Sequence, residues 1–141
     1  MRKVDQLLER YGESHRNRVN KSIHWICVPL ITWSVLAALW WISPVVACIG
    51  LGAALVFYFV LSPALAIGML AVCGLFVYPI VRLADSALLA AGIVFTAAWI
   101  GQFVGHAIEG RKPSFFEDVK FLLVGPVWLL ADAYRRLGIT Y

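Results

Sequence analysis

Residues 22–81 form a run of 60 without a single Lys, Arg, Asp or Glu. Buried helices of soluble domains stay apolar for only about 10–14 residues, whereas a bilayer crossing takes about 20. A run of this length has nowhere to hide inside a 141-residue globule. Residues 86–108 make a second uncharged stretch. Composition agrees: 62% of the chain is hydrophobic and 14% charged, with mean hydropathy +0.83, where soluble domains carry about 25% charge. The expectation is a single-domain, all-α integral membrane protein.

Charge is kept to the ends. Six of the twelve basic residues precede Ser22 and five follow Ile108, leaving Arg82 alone between them. That placement suits anionic headgroups at one leaflet, and a net charge of +4 on so apolar a chain excludes nucleic acid as a partner. The first 22 residues mix acids and bases and lack the apolar core of a cleaved signal, so the first apolar stretch is expected to be retained. Cys27, Cys48 and Cys73 stand singly, with no CxxC spacing, and are expected to be buried, inert thiols.

The uncharged run divides naturally. Residues 23–42 fit one crossing, with Trp40 and Trp41 as an aromatic belt at its far end. Residues 44–81 are about twice too long for one crossing, and Ser62-Pro63 supplies a hairpin, giving spans 44–61 and 63–81. A fourth span, 86–105, carries Ala90, Ala91, Ala97, Ala98 and Gly101, small enough for close helix approach. Four crossings put both termini on one side, and the single far-side base, Arg82, makes that side cytoplasmic. Ahead of the spans, Val4, Leu7, Leu8 and Tyr11 recur at helical spacing and predict an interfacial helix ending at Gly12, followed by a turn at 17–20. Behind them, Ser114-Phe115-Phe116-Glu117 matches a capping box. Residues 121–131 are apolar but interrupted by Gly125-Pro126, which suits a re-entrant or surface-lying element. The expected fold is a four-helix membrane bundle with an N-terminal interfacial helix and a C-terminal re-entrant or interfacial helical element.

This topology brings all three histidines, His15, His24 and His106, to one membrane face. Nine residues at about 100° each would set His15 and His24 on opposite sides of a straight helix, so they converge only if the segment between them breaks. Each neutral imidazole offers one nitrogen to a divalent ion, with the other oriented by a group such as Glu109, Asn20 or Gln102. Three ligands leave positions open for catalysis, and imidazole suits iron, zinc, copper or nickel alike. Glu109, three residues after His106, shares its face if the helix continues, as a ligand, an orienting partner or a proton carrier. Asn20 is the other candidate catalytic group. Arg111 and Lys112 supply cations for the carboxylate of an amphiphilic acid. Each also has a plain reading: interfacial imidazoles without a task, a solvated carboxylate, cations at lipid headgroups. No GxSxG, P-loop, HExxH or CxxC occurs, and three histidines are too few for a membrane di-iron site.

The polar segments carry a resemblance. Tyr11-x3-His15-x4-Asn20-x3-His24, followed by Cys27-Val28-Pro29, and Gln102-Phe103-Val104-Gly105-His106-x2-Glu109-Gly110-Arg111-Lys112-Pro113 resemble the 2-hydroxy fatty acid dioxygenase family, long catalogued as a domain of unknown function. The resemblance covers nearly the whole chain. It implies an Fe(II)-dependent α-oxidation in which O2 cleaves a long-chain 2-hydroxy fatty acid between its first two carbons and leaves an acid one carbon shorter. His15, His24 and His106 would then bind the iron. The substrate is expected to chelate it through hydroxyl and carboxylate, with no organic cosubstrate and with the acyl tail between spans. Tyr11 and Gln102, inside the matched motifs, join Arg111 and Lys112 as candidate substrate contacts.

Two other classes fit the residues: a three-histidine zinc hydrolase of lipid amides, and a non-enzymatic membrane scaffold that binds lipid. Metal identity and oxygen dependence separate the first from the dioxygenase, and indifference to histidine substitution would mark the second. A bacterial chain would sit in the cytoplasmic membrane and a eukaryotic one in the endoplasmic reticulum, with the metal site on the cytoplasmic face.

Overall fold

The computed structural model describes residues 2–116 and 120–141. Among these the chain is all-helical: α1 (Lys3–Gly12), α2 (Arg18–Ile42), α3 (Pro44–Leu61), α4 (Pro63–Leu83), α5 (Ala87–Glu109) and α6 (Phe121–Arg136). Short 3-10 turns stand at Ala84–Ser86 and Ser114–Phe116.

Two Ser-Pro pairs cut the long apolar run into helices. Ser43 and Ser62 are extended, and their hydroxyls accept from the N–H groups of Val45 at 3.2 Å and Leu65 at 3.4 Å. Pro44 and Pro63 follow as first helical residues, where a missing N–H costs nothing. The hairpin expected at Ser62-Pro63 is present, and Ser43-Pro44 repeats the device. The break between α4 and α5 uses Ala84 at φ 47°, a left-handed backbone that an L-residue adopts only under constraint.

By length and composition, three segments can cross a membrane: Arg18–Ile42, Pro44–Leu61 and Pro63–Glu109, the last containing both α4 and α5. Large apolar side chains on them, including Val60, Ile67, Leu75 and Leu89, stand almost bare, a surface that water would not tolerate over this extent.

The most extensive helix pair is α2 with α5, and α3 pairs with α4. Ala87, Ala91, Ala98 and Gly105 are buried along α5 at spacings of four and seven residues, which keep them on one face. A Cβ on Gly105 would lie 2.4 Å from Asn20 Oδ1, and one on Gly101 would lie 2.7 Å from Cys27 Sγ. The two glycines therefore leave room for Asn20 and Cys27 of α2 against α5 on either side of His24.

Several expectations change. Helix α2 begins at Arg18, five residues early, because Asn17 accepts from Val19 N and Asn20 N as an N-cap; the turn expected at 17–20 is the first turn of a helix. At its other end α5 runs on through His106 to Glu109 and stops at Gly110, φ 72°. Gly125-Pro126 does not interrupt α6, which is continuous. The apolar face of α1 is covered by protein: Val4, Leu8 and Tyr11 share one core with Phe121, Val124, Val127 and Trp128 of α6. Only Cys27 is buried, whereas Cys48 is exposed and Cys73 half-buried, all three free thiols. The capping box ends on Glu117, outside the described residues.

Candidate metal centre

Glu109 organises the site from the end of α5. Its carboxylate accepts from Arg16 N at 3.0 Å, Asn17 N at 2.8 Å and Asn20 Nδ2 at 3.0 Å. Those donors are the chain just after His15 and the first turn of α2, where free N–H groups and the helix dipole favour an anion. Fully buried Asn20 also donates to Ser14 O at 3.1 Å. One carboxylate and one amide thus fasten the 13–17 segment, which carries His15, to the helix that carries His106.

The break between α1 and α2 turns His15 back onto His24. Their Nε2 atoms are 2.8 Å apart, and one nitrogen from each of His15, His24 and His106 falls within a 4.8 Å group. All three rings are buried. His106 lies 5.1 Å from His15 and 4.9 Å from His24, centroid to centroid.

Donor accounting decides what this cluster suits. His15 Nδ1 meets Tyr11 O at 2.7 Å and His24 Nδ1 meets Asn20 O at 3.1 Å. A carbonyl can only accept, so both Nδ1 atoms carry the proton and both Nε2 atoms present lone pairs. Two lone pairs face each other at 2.8 Å, an arrangement that asks for a cation between them. A proton is disfavoured there, because burial, opposed by the Tyr11 carbonyl, pushes His15 down to about 4. Nitrogens at about 2.1 Å from one ion and at right angles stand about 3.0 Å apart, close to the observed spacing. His106 Nδ1 is buried with no hydrogen-bond partner among the described residues. The residues therefore fit a mononuclear metal with coordination positions left open.

Two spaces meet at the cluster. His24 and His106 border a cavity of about 60 Å³ that continues past Gln102 to Thr32 and Trp99 and is covered by Ser114, Leu122 and Gly125. His15 borders a polar cleft of about 670 Å³ between α1 and α6, with Glu9, Asp132 and Arg135 on its walls. Tyr11 stacks on His15 at 4.4 Å, is buried, and lines the cavity. Gln102 is buried there as well. Arg111 and Lys112 are exposed just past the end of α5 and line neither space.

Three lining residues escaped the sequence reading. Ser114 is buried with no hydrogen-bond partner for its Oγ among the described residues, although in sequence it reads as a helix cap. Thr32 and Trp99 lie inside apolar spans, and their only signal is register: Thr32 falls two turns beyond His24, and Trp99 two turns before His106.

A family model described as 2-hydroxy-palmitic acid dioxygenase Mpo1-like matches residues 1–137. No curated protein and no solved structure matches the chain. With 137 of its 141 residues matched, the chain belongs to the Mpo1-like family.

Proposed function

We propose that this protein is an Fe(II)-dependent dioxygenase that shortens long-chain 2-hydroxy fatty acids by one carbon. The observation that carries the reading is the histidine cluster with opposed lone pairs, open on one side to a cavity that leads along apolar helices. The family's description supplies the substrate class. His15, His24 and His106 would hold the iron, whose chemistry is the binding and activation of O2. The reaction balances with oxygen alone: R–CH(OH)–COOH and O2 give R–COOH, CO2 and water, so no reductant or organic cosubstrate enters.

The chain's own residues bind and orient. Tyr11 and Asn20, through their carbonyls, fix the tautomers of His15 and His24 and aim their Nε2 atoms. Glu109 and the Asn20 side chain act as positioning residues, since their hydrogen bonds hold the loop that bears His15. Gln102 and the Ser114 hydroxyl face the cavity as hydrogen-bonding groups for the substrate head, while Val28, Phe121 and Leu122 keep bulk water from it. We infer four crossings, α2 to α5, because the 47-residue Pro63–Glu109 segment is about twice a bilayer core in length and reverses at Ala84. Both termini and the histidines then share one face.

The test is oxygen uptake by anaerobically purified, Fe(II)-loaded protein given 2-hydroxypalmitate without 2-oxoglutarate, with mass spectrometry of the product. Stoichiometric formation of pentadecanoate, abolished by His106→Ala in a variant that remains folded, is the expected result. Absence of uptake in folded, iron-loaded protein would overturn the reading, and hydrolysis of a lipid amide with zinc bound would replace it.

A further inference from the structure

The cavity at the histidines is not the only hollow on the α2–α5 pair. A second, of about 370 Å³, lies farther along the same two helices, lined by Val35, Leu39 and Ile42 of α2 and by Leu88, Gly92 and Phe95 of α5. Helical register makes the two collinear. On α2, His24, Val28, Thr32, Val35, Leu39 and Ile42 succeed one another at steps of three or four; on α5 the same steps run backwards through His106, Gln102, Trp99, Phe95, Gly92 and Leu88. Each series spans 18 residues, or about 27 Å at 1.5 Å per residue.

The lining changes along that path. Near the histidines it offers buried Gln102 and Ser114, and α6 roofs it. Beyond Thr32 every polar group is already spent: Thr32 Oγ1 donates to Val28 O and Ser34 Oγ to Leu30 O, both at 2.8 Å. Only hydrocarbon faces the far hollow, and its outer side is open. Phe95 and Trp99, in ring contact at 6.0 Å, line the far and the near hollow respectively. At Gly92 a Cβ would meet nothing within 4 Å, so space is left where most helices would fill it.

We propose that this path is one continuous track for the acyl chain of the substrate, with the head at the histidines and the methyl end of a 16-carbon chain at Gly92. The inference rests on the proposed function and assigns the chain-length determinants of that site. Carbon–carbon bonds of about 1.5 Å advance an extended chain by about 1.3 Å each, so palmitate reaches about 19 Å. That is about 13 helical residues from His24 and His106, within about one residue of the level of Ala38 and Gly92. A ten-carbon chain ends near Trp99. The open side of the far hollow lets the tail slip in from the bilayer, and the roofed near half receives the head.

Gly92→Phe tests the track, because its Cβ meets nothing within 4 Å and its ring is large enough to occupy the far hollow. Gly52→Phe, on α3 with equally free space around it, controls for a bulky residue on the lipid face. The expected result for Gly92→Phe is a loss of about tenfold or more in kcat/KM on 2-hydroxypalmitate, with 2-hydroxydecanoate within about twofold of the parent, since several methylene contacts vanish for the long chain alone. Gly52→Phe should match the parent on both. Equal losses on both chain lengths, or none on either, would overturn the track. A second readout needs no turnover: under argon, the protein with its own metal is photolabelled by 2-hydroxypalmitate bearing a diazirine at carbon 15. Labels on residues 35–42 and 88–95, competed by unlabelled 2-hydroxypalmitate and lost in Gly92→Phe, support the track. Labels spread over α3 and α4, or indifferent to the competitor, would assign the hollow to ordinary membrane lipid. Correct labelling without oxidation of any 2-hydroxy acid would keep the track and discard the dioxygenase.

Discussion

At the scale of single residues, the site depends on groups that touch no metal. Glu109 receives three hydrogen bonds from the segment that bears His15 and the start of α2, so its removal should loosen a ligand without deleting one. Glu109→Ala is expected to weaken metal affinity by about 10–100-fold, the usual range for partners that orient ligands. Glu109→Gln, which keeps a carbonyl oxygen for Arg16 or Asn17, should recover part of it. Metal titration by calorimetry on both variants checks this, and unchanged affinity in Glu109→Ala would contradict the positioning role. The histidines were legible in the sequence because polar residues at the ends of apolar spans have few places to go. Their tautomers were not, since these depend on the carbonyls of Tyr11 and Asn20, and backbone groups leave no mark on composition.

Among helices, contact distance decides what can be changed. Gly105→Ala places a methyl 2.4 Å from Asn20 Oδ1, a clash that must either pull the Asn20 amide off Ser14 O and Glu109 or part α2 from α5 near His24 and His106. It should cost about 1–3 kcal/mol and reduce metal occupancy, whereas Gly92→Ala on the same helix should be neutral or slightly stabilising. Thermal unfolding and metal content of the two variants, measured side by side, check the contrast. Helix α6 is tied to α2 by Asp132, which binds Lys21 and Arg136, each at 2.9 Å. Burial pushes the Asp132 carboxyl up, but the two cations outweigh it and hold it below the usual value. Its folded pKa therefore lies under the unfolded value of about 3.9, and its stabilisation is complete above that value and lost as pH falls through the folded one. Asp132→Asn should be about 1 kcal/mol less stable at neutral pH, discounted for the exposed cations, and should show a shallower loss below about pH 5. A pH series of unfolding midpoints in detergent would read both. The α6 helix also marks the limit of sequence reading: Gly125-Pro126 is a local breaker, yet Val124, Val127 and Trp128 pack on α1 and hold the helix through it. Gly125 further admits the Tyr11 hydroxyl, 3.0 Å from where a Cβ would stand, a requirement set by another helix and invisible in the dipeptide. Ser-Pro, by contrast, acts within two residues, and the hairpin at Ser62-Pro63 was readable for that reason.

For the whole molecule, the histidine cluster is a boundary between two solvents. His15 borders the polar cleft, and His24 with His106 borders the apolar track. On the proposed function, ions and lipids would have separate doors: metal would pass on the side of α1 and α6, and fatty acids would arrive sideways from the bilayer. A water-soluble chelator should strip the metal at the same rate whether or not palmitate fills the track, and stopped-flow measurement of metal release with and without the fatty acid would tell. A marked slowing by palmitate would mean one shared door. With two, a lipid-loaded molecule can still exchange its ion, so repair of a spent centre need not wait for the product to leave.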